Sequence, residues 1–221
     1  MLFQKLRLAA TIGCIMFLGA CAVGRSVVDI NAPSSSPNPQ TGTSIRLVDV
    51  VDNRVFQVKP RSADIPSLSD AKIGDRSITE RAYARKRGGF GKALGDVLLP
   101  EGETVASQIK QAITTGFRRA GYRVFDANST DPDAQTAIPV NADIRKFWTW
   151  MQPGFWQVTL HNRTEVILNG DLPALKDGLT IENHYSDGMQ MVLDNDWTQT
   201  ASQALVEFSD KLRDALLLRS K

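Results

Sequence analysis

Few side chains in this chain of 221 residues have the type and spacing that chemistry needs. His161 and His184 are the only imidazoles. Both fall at polar positions of predicted strands, and no Gly-x-Ser-x-Gly turn leads into a helix, so a Ser-His-acid hydrolase has no nucleophile elbow. The spacing favours surface or cross-strand hydrogen-bonding histidines. No His-Glu-x-x-His pair and no acidic calcium loop occurs, and no metal is expected. Asp187, Asp194 and Asp196 form a loose carboxylate group that glycoside hydrolysis would need paired across a sugar, but their places suit turns and a helix cap. The run from Arg85 to Asp96 (RKRGGFGKALGD) imitates a phosphate loop. A Walker loop needs Gly where Lys86 stands and Ser or Thr where Ala93 stands. A dinucleotide fingerprint on Gly89 and Gly91 needs Gly at Leu94. Neither nucleotide reading survives, and no cofactor is expected. What remains is a positive spot, Arg85, Lys86, Arg87 and Lys92, able to contact lipid phosphates, an acidic protein or an anionic polymer. The plainer reading is a solvated loop with glycines in tight turns.

Thiol chemistry is confined to Cys14 and Cys21, so the rest of the chain has no disulfide framework, zinc knuckle or cysteine nucleophile. Met1–Arg7 is short and basic, Leu8–Leu18 is apolar, and Leu18-Gly19-Ala20-Cys21 follows. An apolar stretch of that length is short of the roughly 20 residues a permanent span needs, which fits a cleaved signal. Leu-Gly-Ala-Cys resembles the lipobox of bacterial lipoproteins. That resemblance implies cleavage between Ala20 and Cys21, a thioether-linked diacylglyceryl group on Cys21, and acylation of the new amine, palmitate-type chemistry. Only a thiol can form the thioether, and Gly19 and Ala20 suit a peptidase with small subsites. An ordinary secretory signal that happens to contain a cysteine is the alternative. Ala22, rather than Asp, after the cysteine implies retention in the outer membrane, facing the periplasm, by analogy with enterobacterial sorting. Acyl chains contribute about 0.8 kcal/mol per buried methylene and more than one is needed for a stable anchor.

The other conspicuous segment is aromatic. Phe147-Trp148-Thr149-Trp150-Met151-Gln152-Pro153-Gly154-Phe155-Trp156 holds three of the four tryptophans. On a strand, Trp148 and Trp150 face one way and Phe147 and Met151 the other, so both faces are apolar near the turn. One packs on helices. The other needs cover from the loop at 60–75, a partner or a membrane interface. Trp148, Trp150, Phe155 and Trp156 are therefore the candidate partner face.

Several elements position these groups. Ala32–Ser44 (APSSSPNPQTGTS) has no large apolar residue and reads as a linker spanning at most roughly 45 Å. Ser26–Asn31 has strand character and can shorten that tether by joining the sheet. Ile45–Val51 is a strand with Ile45, Leu47 and Asp49 on one face and Arg46, Val48 and Val50 on the other. Asp52–Arg54 is a turn, Val55–Val58 a short strand, Pro60–Asp75 a loop and Ile78–Arg87 extended. The first long helix begins at an N-cap Thr104, buries Val105, Ile109, Ala112, Ile113, Phe117 and Ala120, and stops at a left-handed Gly121. The second carries Trp197, Ala201, Ala204, Leu205, Phe208, Leu212, Ala215 and Leu216 at helical spacing, with Asn195 or Asp196 as cap. Between them Ile138, Val140, Ala142 and Ile144, and then Val158, Leu160, Val166 and Leu168, alternate with polar residues, joined through Gln152-Pro153-Gly154 in a hairpin. Thr180–Ser186 is a further strand. The order predicts an α+β two-layer domain, a mainly antiparallel or mixed sheet with two long helices on one face.

Composition supports one domain: 42% apolar and 23% charged residues make a globular chain. Without Lys5 and Arg7 the 26 basic residues fall to 24, matching the 24 acidic ones, which argues against nucleic-acid binding by bulk charge. The organisation is a signal peptide over 1–20, a lipidated tether over 21–44 and a periplasmic domain over 45–221. Cys21, Val28-Asp29-Ile30, the stretch from Ile78 to Gly95 with Leu98-Leu99-Pro100, and Arg119-Ala120-Gly121-Tyr122-Arg123-Val124 together resemble the YajG-type outer-membrane lipoproteins, often described as flagellar biosynthesis lipoproteins. The resemblance implies an α+β periplasmic domain without known catalysis, and it carries no active-site residues. The expected function is a non-enzymatic binding, scaffold or assembly factor of the cell envelope, held to outer-membrane lipid through Cys21 and engaging an envelope protein. A homo-oligomer remains open. The alternative is a periplasmic carboxylate-dependent hydrolase of envelope polymers.

Overall fold

A computed structural model describes residues 24–34, 36–88 and 91–220. The expected signal peptide and lipidation site, with Cys14, Ala20 and Cys21, lie outside the described residues, as do Gly89 and Phe90 of the glycine run. The described chain is α+β, with eight strands in one sheet and five helices. The strands are β1 (Ser26–Val27), β2 (Ser44–Asp52), β3 (Ala82–Arg87), β4 (Ala93–Leu98), β5 (Arg123–Asp126), β6 (Ile138–Pro153), β7 (Val158–Gly170) and β8 (Leu179–Met189). The helices are α1 (Asp70–Ile73), α2 (Arg76–Thr79), α3 (Val105–Arg119), α4 (Pro132–Gln135) and α5 (Asp194–Arg219).

The sixteen residues of β6 organise the sheet. One edge forms long antiparallel ladders through β7 to β8. The other edge is shared: the first half of β6 pairs in parallel with β2, which continues to β5, and Thr149 pairs in parallel with Ala84 of β3, which continues to β4 and β1. The long ladders are antiparallel as expected, but four of the seven strand pairings are parallel, so the sheet is mixed.

The two long helices pack on each other, α3 against β2 and β5 and α5 against β7 and β8. Their apolar stripes share one core with Ile45, Leu47, Val140, Ile144, Phe147, Val166 and Leu168. Gly116 sits where they meet. A Cβ there would lie 2.9 Å from Leu212 Cδ2 and 3.0 Å from the Ser209 carbonyl, so close approach outweighs glycine's poor helix propensity. The two-helix layer is only part of the arrangement. One-turn helices α1 and α2 belong to a separate cluster in which Leu68, Ala82 and Leu98 pack with Phe56, Ile73 and Ile78. No helix among the described residues is long and apolar enough to cross a membrane.

Local chemistry explains where the elements begin and end. Thr104 caps α3 by accepting from the Ser107 N–H at 3.0 Å, and Gly121 has φ +91° just past the helix, both as expected. At α5 the helix starts two residues earlier than expected: the Asp196 carboxylate reaches back to the Leu193 N–H at 2.6 Å. In β2 a bulge between Leu47 and Asp49 reverses the alternation, leaving Asp49 exposed and bringing Val50 toward the core. The expected strand Val55–Val58 shrinks to one bridge, Gln57 to Ser67.

The stretch expected to be a linker lies along α3. Pro33 is buried, its carbonyl 3.4 Å from Thr115 Oγ1, Arg118 donates to the Ser36 carbonyl, and Asn38 exchanges hydrogen bonds with the Val124 backbone. Upstream of it, β1 pairs with β4, which realises the alternative in which Ser26–Asn31 joins the sheet. Gly95 permits this, because a Cβ there would stand 1.7 Å from the Gly24 carbonyl oxygen.

Candidate functional site

Strand alternation divides the aromatic hairpin into a buried stem and an exposed tip. In the stem Phe147 enters the helix-side core and Met151 packs at its margin. Trp148 lies on the opposite face and is only 1% exposed. Its indole N–H donates to the Ala63 carbonyl at 3.1 Å, and Phe56 meets its ring edge-on at 5.9 Å. The loop from Pro60 thus covers it. Trp150, 9% exposed, stacks on His161 at 5.1 Å and on His184 at 5.8 Å. Trp148 and Trp150 are therefore removed from the expected partner face. Each is satisfied within the chain.

His161 bonds across strands, and His184 is an exposed surface residue whose contact lies within its own strand, the two alternatives that their positions implied. His161 Nδ1 shares a hydrogen bond with Ser186 Oγ at 2.7 Å, and the same oxygen lies 3.5 Å from His184 Nε2. Burial lowers the His161 pKa, and the adjacent His184 lowers it further. A hydroxyl beside an imidazole has nucleophile-base reach, but a catalytic base is normally oriented by a third group on its other nitrogen. Among the described residues no hydrogen bond reaches His161 Nε2, and the Trp150 ring instead lies against the imidazole.

At the tip the Gly154 N–H donates to the Gln157 carbonyl at 2.8 Å and closes the turn. Phe155 and Trp156, between them, are 89% and 83% exposed, packed edge-to-face on each other at 4.7 Å. Single exposed apolar residues are ordinary, but two large aromatic rings at the point of a long hairpin form a contact surface. Of the four residues in the expected partner face, Phe155 and Trp156 alone are presented to solvent.

The positive spot is also divided. Lys86 points to the core side of β3, 7% exposed, donating to Ser26 Oγ at 2.7 Å and Asp194 at 3.0 Å. Arg85 and Arg87 point the other way. Arg85 stands 3.5 Å from Asp96, a buried carboxylate that also meets Lys72 at 2.9 Å and Arg25 at 4.0 Å. Arg87 donates to the Pro60 carbonyl and Ser67 Oγ, tying down the loop that covers Trp148; burial and then Arg85 lower its pKa. Lys92 is exposed. The expected four-residue anion contact thus reduces to Lys92, because alternation and internal partners engage the other three. Two of the three candidate carboxylates, Asp194 and Asp196, are engaged too. Burial pushes the Asp194 pKa up, but hydrogen bonds from Lys86 and Ser26 and the Lys86 charge outweigh it and hold the pKa below the usual range. Asp196 caps α5. Among the described residues no group of three His, Cys, Asp or Glu side chains is placed to hold a metal.

Two arrangements had no sequence signal. Arg54, expected in a turn, is buried: it pairs with Asp52 at 2.7 Å and donates to the carbonyls of Ala82, Phe147 and Thr79. It closes the gap where β6 exchanges β2 for β3. The other is the Trp150–His161–His184 stack, which needs the β6–β7–β8 register to assemble.

No family model matches this chain, and no curated protein matches it. Among solved structures it is similar to an uncharacterized protein at 9% identity, over 87% of this chain and 97% of that one, with a TM-score of 0.44. It is also similar to protein XCC0632 from Xanthomonas campestris, of family DUF330, at 12% identity over 88% and 94%, with a TM-score of 0.40.

Proposed function

We propose that this protein is a lipid-anchored lipoprotein of the outer membrane, facing the periplasm, that works as a non-enzymatic binding or assembly factor of the cell envelope. The exposed Phe155–Trp156 pair carries the reading: a short loop closed by a hydrogen bond holds two rings in solvent, where they gain nothing for the fold. Aromatic anchors of this kind dominate binding energy at interfaces. The anchor rests on Leu18-Gly19-Ala20-Cys21, and the resemblance to YajG-type lipoproteins adds the envelope setting.

The test is made in cells with a photoreactive amino acid at position 156 and, separately, at position 148. An adduct of defined mass with an envelope component, lipid or protein, is expected from 156 and none from the buried 148. Acyl labelling runs in parallel: Cys21→Ser should lose the label and leave the membrane fraction. Adducts from both positions or neither, or a labelled Cys21→Ser chain, would overturn the reading.

A further inference from the structure

The strand register gathers four separate pieces of chain at one end of the sheet. The β6–β7 tip follows the pair Pro153–Val158, and Val158 pairs in turn with Met189, so the connection from β8 into α5 lies beside the tip. That connection exposes Met191 at 69% and Leu193 at 58%. On the other side β3 runs parallel to β6 from Ala84–Thr149, which brings the turn after Arg87 level with Pro153. A cavity of about 320 Å³ lies between them, lined by Arg61, Gly91 and Pro153 among others. The fourth piece is the start of the described chain. β1 is parallel to β4, and the Gly24 N–H donates to the Leu94 carbonyl at 2.8 Å. The chain therefore enters the fold beside the β3–β4 turn, at this same end.

Cys21 stands three residues before Gly24, a span of at most about 10 Å. The tether expected over 32–44 adds nothing to this reach, because β1 docks upstream of it. If Cys21 is acylated, this end of the sheet is held against the bilayer. Its exposed groups are Phe155, Trp156, Met191 and Leu193, with Arg61 and Lys92 exposed beside them. Of the nearby carboxylates, Asp194 and Asp196 are bonded within the chain, and Asp187, opposite Leu160 in the β7–β8 ladder, is half-buried beside Tyr185.

We propose that this end is a membrane-docking surface whose occupant is the bilayer itself: the four apolar side chains enter the acyl–headgroup boundary, and Arg61 and Lys92 meet lipid phosphates. The proposal rests on the lipoprotein reading for the position of the anchor. Aromatic rings with basic neighbours match the chemistry of that interface, apolar below and anionic above. Docking at this end sets the long axis of β6 and β7 away from the bilayer and turns the opposite end of the sheet toward the periplasm.

The test uses the full chain as isolated from membranes, placed in vesicles of phosphatidylethanolamine and phosphatidylglycerol with brominated acyl chains. Trp148, Trp150 and Trp197 are buried, so bromine quenching reports Trp156. Quenching is expected, Trp156→Phe should abolish it, and Arg61→Gln with Lys92→Gln should lessen it in anionic vesicles. Equal emission with and without bromine, or quenching that survives Trp156→Phe, overturns the docking surface. So does a protein adduct from position 156 without quenching, which would make a protein the occupant. Acyl labelling separates the two readings. Label without quenching defeats the docking surface alone; quenching without label defeats the lipid anchor alone.

Discussion

The stem and the tip of the β6–β7 hairpin are built from the same residue types and end in opposite environments. Trp148 is 1% exposed and Trp156 is 83% exposed, eight residues apart on one hairpin. The stem tryptophans have partners brought from far along the chain: the Ala63 carbonyl and Phe56 for one, two imidazoles for the other. Among the described residues, the tip rings have only each other as aromatic partners. Aromatic content thus carries two meanings within ten residues, and what separates them is whether a loop or strand passes close enough to provide cover.

The largest effect should come from setting the two against each other. Trp148→Ala removes a fully packed indole and should lower stability by about 3–5 kcal/mol, the range for truncated core aromatics. Phe155→Ser combined with Trp156→Ser should stay within about 0.5 kcal/mol, as exposed substitutions do. Denaturant titration of both variants checks this. Similar losses in the two would erase the division into stem and tip.

A second variant probes the backbone of the stem. Arg54 donates to the Phe147 carbonyl beside Trp148 as well as to Ala82 and Thr79. Arg54→Met keeps much of the volume but takes the guanidinium from Asp52, which keeps only the backbone N–H of residue 54, and removes one donor from each of three carbonyls. A loss of about 3 kcal/mol is expected, because breaking a buried pair strands the remaining charge. The same melt on the tip variant should be flat. A neutral Arg54→Met would mean that water replaces the guanidinium and that the stem is less sealed than its packing implies.

Arg87 tests the cover itself. It donates to the Pro60 carbonyl and Ser67 Oγ across the loop above Trp148. Arg87→Ala should lower stability by about 1.5–3 kcal/mol, the range for hydrogen bonds to charged groups. It should also speed cleavage within the loop under limited proteolysis, with no change at the tip. Unchanged cleavage would show that Trp148 and Phe56 hold the loop without help.

What the sequence revealed follows what is local. The 3.6-residue stripes of α3 and α5, the Thr104 cap and the left-handed Gly121 depend on neighbours within a turn or two, and all were legible. So was the alternation that separates Trp148 from Phe147. The β2 bulge was not, because nothing in Ile45–Val51 distinguishes an extra residue from a continuing strand until Val140 and Asn141 fix its pairing. Lys86 reads as one of four basic neighbours in sequence, and its burial depends on Ser26 and Asp194, residues 60 and 108 positions away. The long-range partners of Arg54 and of the histidines were hidden for the same reason. Of the candidate surface, the aromatic residues were visible, but which of them face solvent was decided by a loop whose path has no periodicity to read.

The smallest expected effect concerns the imidazole stacked on the stem. Burial and the neighbouring His184 hold the His161 pKa below its ordinary value near 6.5. A base whose pKa is lower in the folded state binds fewer protons there than in the unfolded chain, across the interval between the two values. Stability should therefore be full above about pH 6.5 and should fall as the pH drops through that interval to the lowered folded pKa, where the loss is complete. His161→Gln cannot titrate, so its melting temperature should drop less between pH 8 and mildly acidic buffer than that of the unaltered chain. At pH 8 the variant should stay within about 1 kcal/mol of it, since the side chain is only partly buried. Trp156→Phe, at the tip, should show the full pH dependence. If His161→Gln retained the same drop, the acid sensitivity would belong elsewhere in the chain, and the Trp150–His161 stack would matter to the stem as packing alone.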